Sequence, residues 1–165
     1  MARRQASGTP AIDALVRAGV RYTLHDYEHD PAQRAFGDET VAALGVAPER
    51  VFKTLVAEVS GSAGTRLVVG LVPVSGQLNL KALAAAVGAK RAVMAEPAKA
   101  ERSSGFVVGG ISPLGQKTGL PTVADESVTG FDTVFVSAGR RGQQIELSPH
   151  DLLRLTGASL APIGR

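Results

Sequence analysis

Hydrophobic and polar positions alternate most clearly over Val51-Phe52-Lys53-Thr54-Leu55-Val56-Ala57-Glu58-Val59. This is the pattern of a strand, whose successive side chains face opposite ways. One parity carries Val51, Lys53, Leu55, Ala57 and Val59; the other carries Phe52, Thr54, Val56 and Glu58. Lys53 is therefore the one charge on the more apolar face, either snorkelling at a rim or lining a pocket. On the same alternation Thr54 points the other way, toward a neighbouring layer or a strand-end contact and not the same pocket face. Gly61-Ser62-Ala63-Gly64 has the chemistry of a hairpin turn. Arg66 to Val74 then returns with apolar residues on both faces, as a central strand covered on both sides requires.

Helical spacing frames this hairpin. Thr9 and Pro10 open a first helix carrying Ala11, Ile12, Leu15 and Val16 on one stripe, and Gly19 ends it. A strand is predicted over Arg21 to Tyr27, and then His29-Asp30-Pro31 makes a turn. Asp38 is predicted to cap a short helix that Gly45 ends. Asn79 caps a third helix with Leu80, Leu83, Ala84 and Val87 at i, i+3, i+4 and i+7. Further strands are predicted over Arg91 to Ala95, Phe106 to Val108, Pro121 to Ala124, Thr133 to Ser137 and Gln144 to Leu147. Pro97 to Arg102 and Ser148 to Gly157 are helical, and Ala158 to Ile163 adds an edge strand. Strands in hairpin pairs with helices between them predict an α+β fold, a mixed, barrel-like sheet surrounded by helices. With no internal repeat or linker, 1–165 forms a single domain with a loose tail at 1–8.

Composition narrows the chemistry. The chain has 165 residues with 44% hydrophobic and 20% charged, enough for one core. No apolar run approaches the roughly 18 residues of a membrane span. Two arginines near the start are followed by no apolar stretch, so a cytoplasmic location is expected. The net charge of +3, without a long basic run, allows only weak attraction to a polyanion. Cysteine is absent, which excludes disulfides, thiolate metal sites and a cysteine nucleophile of the protein's own.

The motifs eliminate more than they assign. His25 and His29 sit on a strand-then-turn stretch without a supporting carboxylate motif, so no metal is expected. Ser112 follows glycines but precedes Pro113, where a nucleophile elbow needs a backbone N–H. Gly110 and Gly115 have P-loop spacing, but Gln116 holds the lysine position. What remains is a glycine pair, Gly109-Gly110, whose N–H groups would form a nest for a carboxylate, a phosphate or a developing oxyanion. A tight structural turn is the plain alternative. Lys53 would supply a fixed cation beside the nest.

Several stretches together resemble a known family. They are Tyr27-Glu28-His29-Asp30-Pro31, Phe36-Gly37-Asp38-Glu39, Phe52-Lys53-Thr54-Leu55, Gly109 to Lys117 and Val136 to Gly142. In this order, from Thr9 to about Ile163, they look like the YbaK/EbsC-type deacylases, free-standing relatives of the editing domain of bacterial prolyl-tRNA synthetases. The pattern is most similar to the Cys-tRNA(Pro) deacylase branch. The resemblance implies a mixed β-barrel and hydrolysis of the ester joining a wrongly attached amino acid, chiefly cysteine, to tRNA. It implies catalytic roles for Lys53, Gly109 and Gly110, and substrate contacts by Tyr27, Phe36, Thr54, Ile111, Ser112, Pro113 and Ser137. It further implies substrate-assisted chemistry, in which the cysteine thiol attacks its own ester carbonyl. Gln144 departs from the pattern, because some relatives carry aspartate there.

No cofactor is expected. The implied partners are the acceptor end of mischarged tRNA and prolyl-tRNA synthetase in a transient complex, with Lys99, Arg102, Lys117, Arg140 and Arg141 as tRNA contacts. Two alternatives stay open: an Ala- or Ser-tRNA deacylase that uses a bound water, and a non-catalytic module that binds aminoacyl-tRNA.

Overall fold

The computed structural model describes residues 8–165. The tail expected at 1–8 lies outside them except for Gly8. Helix α1 is Pro10–Ala18. Thr9 Oγ1 accepts the Ile12 N–H at 3.2 Å, and Gly19, at φ +68°, closes the helix by donating to Leu15 and Val16 carbonyls. The Thr9 hydroxyl also donates to the Ala138 carbonyl, so the cap ties α1 to a distant loop. Strand β1 is Thr23–Asp26.

Helix α2 is Phe36–Leu44 and starts earlier than the sequence predicts. Ala35 holds the N-cap position, and Asp38 lies inside the first turn instead of capping it. Its charge there still complements the helix dipole. Helices α3 (Leu80–Ala86) and α5 (Pro149–Thr156) begin at side-chain caps, Asn79 and Ser148, while α4 (Pro97–Ser104) begins at its proline.

Strands β2 (Phe52–Gly61) and β3 (Gly64–Pro73) form the long hairpin, in register from Phe52 opposite Pro73 to Gly61 opposite Gly64. β4 (Arg91–Met94) pairs with β2, β5 (Thr122–Asp125) lies parallel to β3, and β8 (Ser159–Ala161) extends β5. The five-stranded order is β4-β2-β3-β5-β8. A second sheet, β1-β7-β6, contains β6 (Val134–Ser137) and β7 (Gln143–Leu147). The two sheets meet through a single parallel bridge, Val51 to Phe135, so the expected barrel does not close.

Phe106 to Val108, expected as a strand, is a turn. Its backbone groups are taken locally: Phe106 N–H donates to Ser104 Oγ, Val108 N–H to Glu101 Oε2, and the Val107 carbonyl accepts from Gly110. These local partners take most of the groups that a ladder would use.

Parity along the hairpin separates two cores. Phe52, Val56, Val69 and Leu71 pack with α1, β6, β7 and Leu152 of α5. Ala57, Val59, Val68 and Val72 pack with Leu78, Leu83 and Ile163. β3 is therefore covered on both faces, as its apolar pattern requires.

Asp125 locks the chain's end to this frame. The buried carboxylate accepts N–H groups from Ile163 and Gly164 and both the N–H and hydroxyl of Ser127. Burial pushes its pKa up, but these bonds outweigh it and hold the group below its ordinary 3.8. A carboxyl lowered in the folded state stabilises the fold above its unfolded pKa, and that stability is lost as pH falls through the folded value. Asp125→Ala is expected to cost about 1–3 kcal/mol, because it strands buried N–H donors. Urea denaturation at pH 7 measures the loss, and the gap to wild type is expected to shrink below about pH 4.

Candidate active site

β4 pairs with Ala57 to Ser60 of β2, and Ala95 N–H adds one bond to the Val56 carbonyl. At the other end, Val51 bridges to β6. Between these contacts the edge of β2 away from β3 has no strand beside it. A cavity of about 470 Å³ opens along this gap. Its walls come from Val51 and the first residues of β2 to Val56, Met94 at the end of β4 and Ala95 after it, the start of α2, Val108, Gly109 and Ile111 of the glycine loop, Ser137 and Gln144. Most of that lining is apolar, the usual composition of a small-molecule site with a few placed polar groups.

Lys53 and Thr54 both line the cavity although they belong to opposite faces of β2. The alternation argument sends Thr54 to another layer; the structure corrects this. At an unpaired strand edge both faces border the same opening. Thr54 is buried and its hydroxyl has no partner among the described residues. Lys53 is half-buried and makes no salt bridge with them.

The glycine loop is divided in its roles. Gly109 and Ile111 line the cavity. Gly109 has φ +89°, and its missing Cβ leaves the space that the Phe36 ring fills, since a Cβ would lie 2.8 Å from three ring carbons. Arg141 covers this ring at 4.9 Å and donates from Nε to the Val108 carbonyl at 2.9 Å. Gly110 does not line the cavity: its N–H donates to the Val107 carbonyl, and its Cα packs against the Arg140 backbone. The two-donor nest expected from the sequence thus narrows to Gly109, whose N–H has no acceptor among the described residues. Ser112 and Pro113 are buried behind the wall. Ser112 Oγ accepts from Leu114 N–H, and the Ser112 carbonyl accepts from Gln116. Tyr27 is also set back, and its hydroxyl shares a 2.6 Å hydrogen bond with Thr40, a lining residue of α2.

Two carboxylates outside the cavity lining are held by hydrogen bonds. Glu39 accepts from Asp30 N–H and bonds His29 at 2.7 Å, which fixes the first turns of α2. Burial raises its pKa, but the hydrogen bonds from Asp30 and His29 bring it below the ordinary value. Glu146 is lowered chiefly by the Thr133 hydroxyl, and His25 and Arg50 add to this against some burial. His25 and His29 are thereby committed to carboxylates outside the cavity lining. The basic residues singled out for tRNA are partly engaged as well. Lys99 pairs with Glu58 at 3.2 Å, Arg140 bonds Gln143, and Arg141 stacks on Phe36.

Sequence reasoning missed Gln144 as a lining group, along with Arg34 and Asp38 at the exposed rim. Gln144 is buried in β7 opposite Ser137 of β6, which also lines the cavity. Two consecutive glutamines entering an apolar strand were the available signal. Gln143 is satisfied by Asp26 and Arg140, whereas Gln144 Oε1 has no partner among the described residues.

Comparison with known proteins assigns the chain to a class. An aminoacyl-tRNA editing domain matches over residues 30–155. EbsC of Enterococcus faecalis, whose name assigns it deacylase activity on Cys-tRNA(Pro) and Cys-tRNA(Cys), is 39% identical over 84% of this chain and 83% of its own length. ProXp-y of Escherichia coli, a multifunctional Ser/Thr-tRNA deacylase, is 30% identical over 100% of this chain and 97% of its own. A crystal structure assigned as a trans-editing enzyme for prolyl-tRNA synthetase superposes with TM-score 0.78 at 26% identity, covering 100% of this chain and 99% of that one. The chain belongs to the aminoacyl-tRNA editing domain family. Its activity is that of an aminoacyl-tRNA deacylase, a hydrolase of the aminoacyl ester.

Gly109→Ala is expected to force a strained backbone and displace Phe36, lowering stability by about 1–3 kcal/mol and disordering the cavity wall. Gly19→Ala is the control: its φ is also positive, but nothing lies within 4 Å of the added carbon. Thermal melting together with deacylation assays separates the two, with activity loss confined to Gly109→Ala.

Proposed function

We propose that this chain removes cysteine from mischarged tRNA(Pro), and that the substrate's own thiol begins the reaction. The thiol sulfur attacks the ester carbonyl carbon and closes a four-membered thiolactone. The ribose oxygen leaves and takes up the proton that the thiol gives up. Water then opens the thiolactone to free cysteine. Lys53 would bind the terminal adenosine through phosphate or ribose, and Gly109 N–H would face the carbonyl oxygen as it gains charge. Phe36, Thr54, Ile111 and Ser137 would pack around the aminoacyl group. Gly110, Ser112, Pro113 and Tyr27 would act by supporting this wall.

The observation that carries the reading is the pairing of Lys53 and Gly109 on one cavity in a chain that has no cysteine. The remaining candidates for a protein nucleophile support it too. Neither Ser112 nor Ser137 hydrogen-bonds a histidine among the described residues; Ser137 Oγ accepts from Gly139 N–H. Holding a thiol beside its own carbonyl is an intramolecular arrangement, for which effective molarities are very large. We further propose that the chain acts in the cytoplasm and reaches its substrate through a transient complex with prolyl-tRNA synthetase, since a domain of charge +3 offers few phosphate contacts of its own. The match of 113 residues to proline–tRNA ligase of Moorella thermoacetica, at 30% identity and 19% of that protein, supports a shared substrate.

Lys53→Ala is expected to lower kcat/KM on Cys-tRNA(Pro) by about 10²–10³. Unchanged turnover at unchanged tRNA affinity would remove Lys53 from the mechanism. On wild-type protein, kcat for Ser-tRNA should fall far below that for Cys-tRNA, and Ala-tRNA should barely react. Equal kcat on all three would replace the thiol by an activated water.

A further inference from the structure

The charge of the chain is unevenly placed. From Val59 to Ala95 it holds four of its 18 basic side chains, Arg66, Lys81, Lys90 and Arg91, and none of its 15 acidic ones. Taking those four from the 18 leaves 14 against 15, so the rest of the chain stands at −1. All four are exposed, and none forms a salt bridge among the described residues. β3, α3 and β4, which build this end of the larger sheet, carry no acid. The one acid on β2, Glu58, is already paired with Lys99.

Two of these cations share a site. Lys90 and Arg91 line one open concavity with Ser60, Gly61 and Ser62 at the tip of the hairpin. Backbone pairing sets their positions: Lys90 N–H donates to the Ser60 carbonyl at 2.9 Å, and Arg91 lies opposite Ser60 in the β2–β4 ladder. Arg66 stands on the neighbouring strand, where its guanidinium donates to the Val87 carbonyl at 2.7 Å. An ammonium, a guanidinium and serine hydroxyls are the side-chain groups that contact phosphate oxygens. Lys99, Arg140 and Arg141, by contrast, are spent on Glu58, Gln143 and Phe36.

β4 connects this concavity with the active-site cavity. Arg91 lines the first and Met94 the second, about 10 Å apart along an extended strand. Their side chains point to opposite faces, so the route between them is the outer edge of β4. That edge has no strand beside it among the described residues, and Val93 and Met94 are 51% and 45% exposed along it.

We propose that the hairpin tip binds the phosphate backbone of the tRNA acceptor strand, with Lys90 and Arg91 as its main contacts. The terminal adenosine enters the cavity, and the nucleotides before it follow the edge of β4. The inference rests on the proposed deacylase site and gives its substrate a second point of attachment. Continuity with the cavity that takes the aminoacyl end favours a nucleic acid over an acidic protein face. A few phosphate contacts bind weakly at physiological salt, in keeping with delivery by a synthetase.

The test measures RNA binding and ester cleavage separately on the full-length protein. Fluorescence anisotropy with deacylated tRNA(Pro) at about 50 mM salt reads the first. Turnover of cysteinyl-adenosine, which has no backbone phosphate, reads the second. Lys90→Gln combined with Arg91→Gln is expected to weaken tRNA binding by about 10-fold and to flatten the slope of log Kd against log salt by about 1–2. Cleavage of cysteinyl-adenosine should stay within about twofold, and on Cys-tRNA(Pro) KM should rise by about 10-fold at constant kcat. Arg17→Gln combined with Arg154→Gln removes the same charge from exposed positions on α1 and α5 and should change tRNA affinity by less than about threefold. Equal effects of the two double variants, an unchanged salt slope in the first, or loss of its cysteinyl-adenosine cleavage would each overturn the assignment. Unchanged tRNA affinity with weakened binding to prolyl-tRNA synthetase would also overturn it and give the tip to that protein. If the wild type left Cys-tRNA(Pro) uncut while the tip variant still lost tRNA, the deacylase reading would fail and the binding assignment would stand.

Discussion

The divided edge of β2 is the constraint on which the site depends. β3 occupies one side of this strand along its whole length. The other side is shared by β4 at the far end and by a single bridge to β6 at the near end. The two neighbours diverge, and the stretch between them is left as a wall. Had either neighbour continued, the ladder would have filled the space that is now the cavity. The unclosed barrel and the pocket are one feature: the sheets separate where the cavity opens.

The glycine loop and α2 complete that wall through mutual packing. Gly109 has no side chain because the Phe36 ring stands in its place, and Arg141 covers the ring from beyond. Glu39, with His29 and Asp30, holds the start of α2 where this contact needs it. The loop is thus less a donor nest than a close-packed seam with one N–H, that of Gly109, lacking an acceptor among the described residues. That division explains why adjacent glycines have unlike roles, one bordering the cavity and the other closing a turn.

The polar residues in and behind the cavity wall divide in the same way. Ser137 has a backbone partner in Gly139, Tyr27 a partner in Thr40, and Gln143 partners in Asp26 and Arg140. Each is spent on structure. Thr54 Oγ1 and Gln144 Oε1 have no partner among the described residues, although both atoms are closed off from solvent, and their residues share the wall with Lys53. Fixed polar groups in a mostly apolar, partly enclosed space act on a ligand at higher strength than they would in water.

By itself, the sequence determined the hairpin, the helix caps at Thr9 and Asn79, the two-sided burial of β3 and the prominence of Lys53. These rest on local rules, namely side-chain period, cap chemistry and turn glycines, which need no knowledge of distant residues. The family motifs extended that reading to the aminoacyl ester. Only the tertiary structure decided which residues border the cavity. Alternation sends Lys53 and Thr54 apart, but an open strand edge reunites them. Ser112 and Pro113 lie inside the motif yet behind the wall, because burial follows packing and not spacing. Phe106 to Val108 has strand-like composition, but Ser104, Glu101 and Gly110 take its hydrogen bonds first. Gln144 stands out in the sequence as a departure from the family pattern, but only the fold places it in the cavity wall, because which residues border a cavity is decided by distant packing.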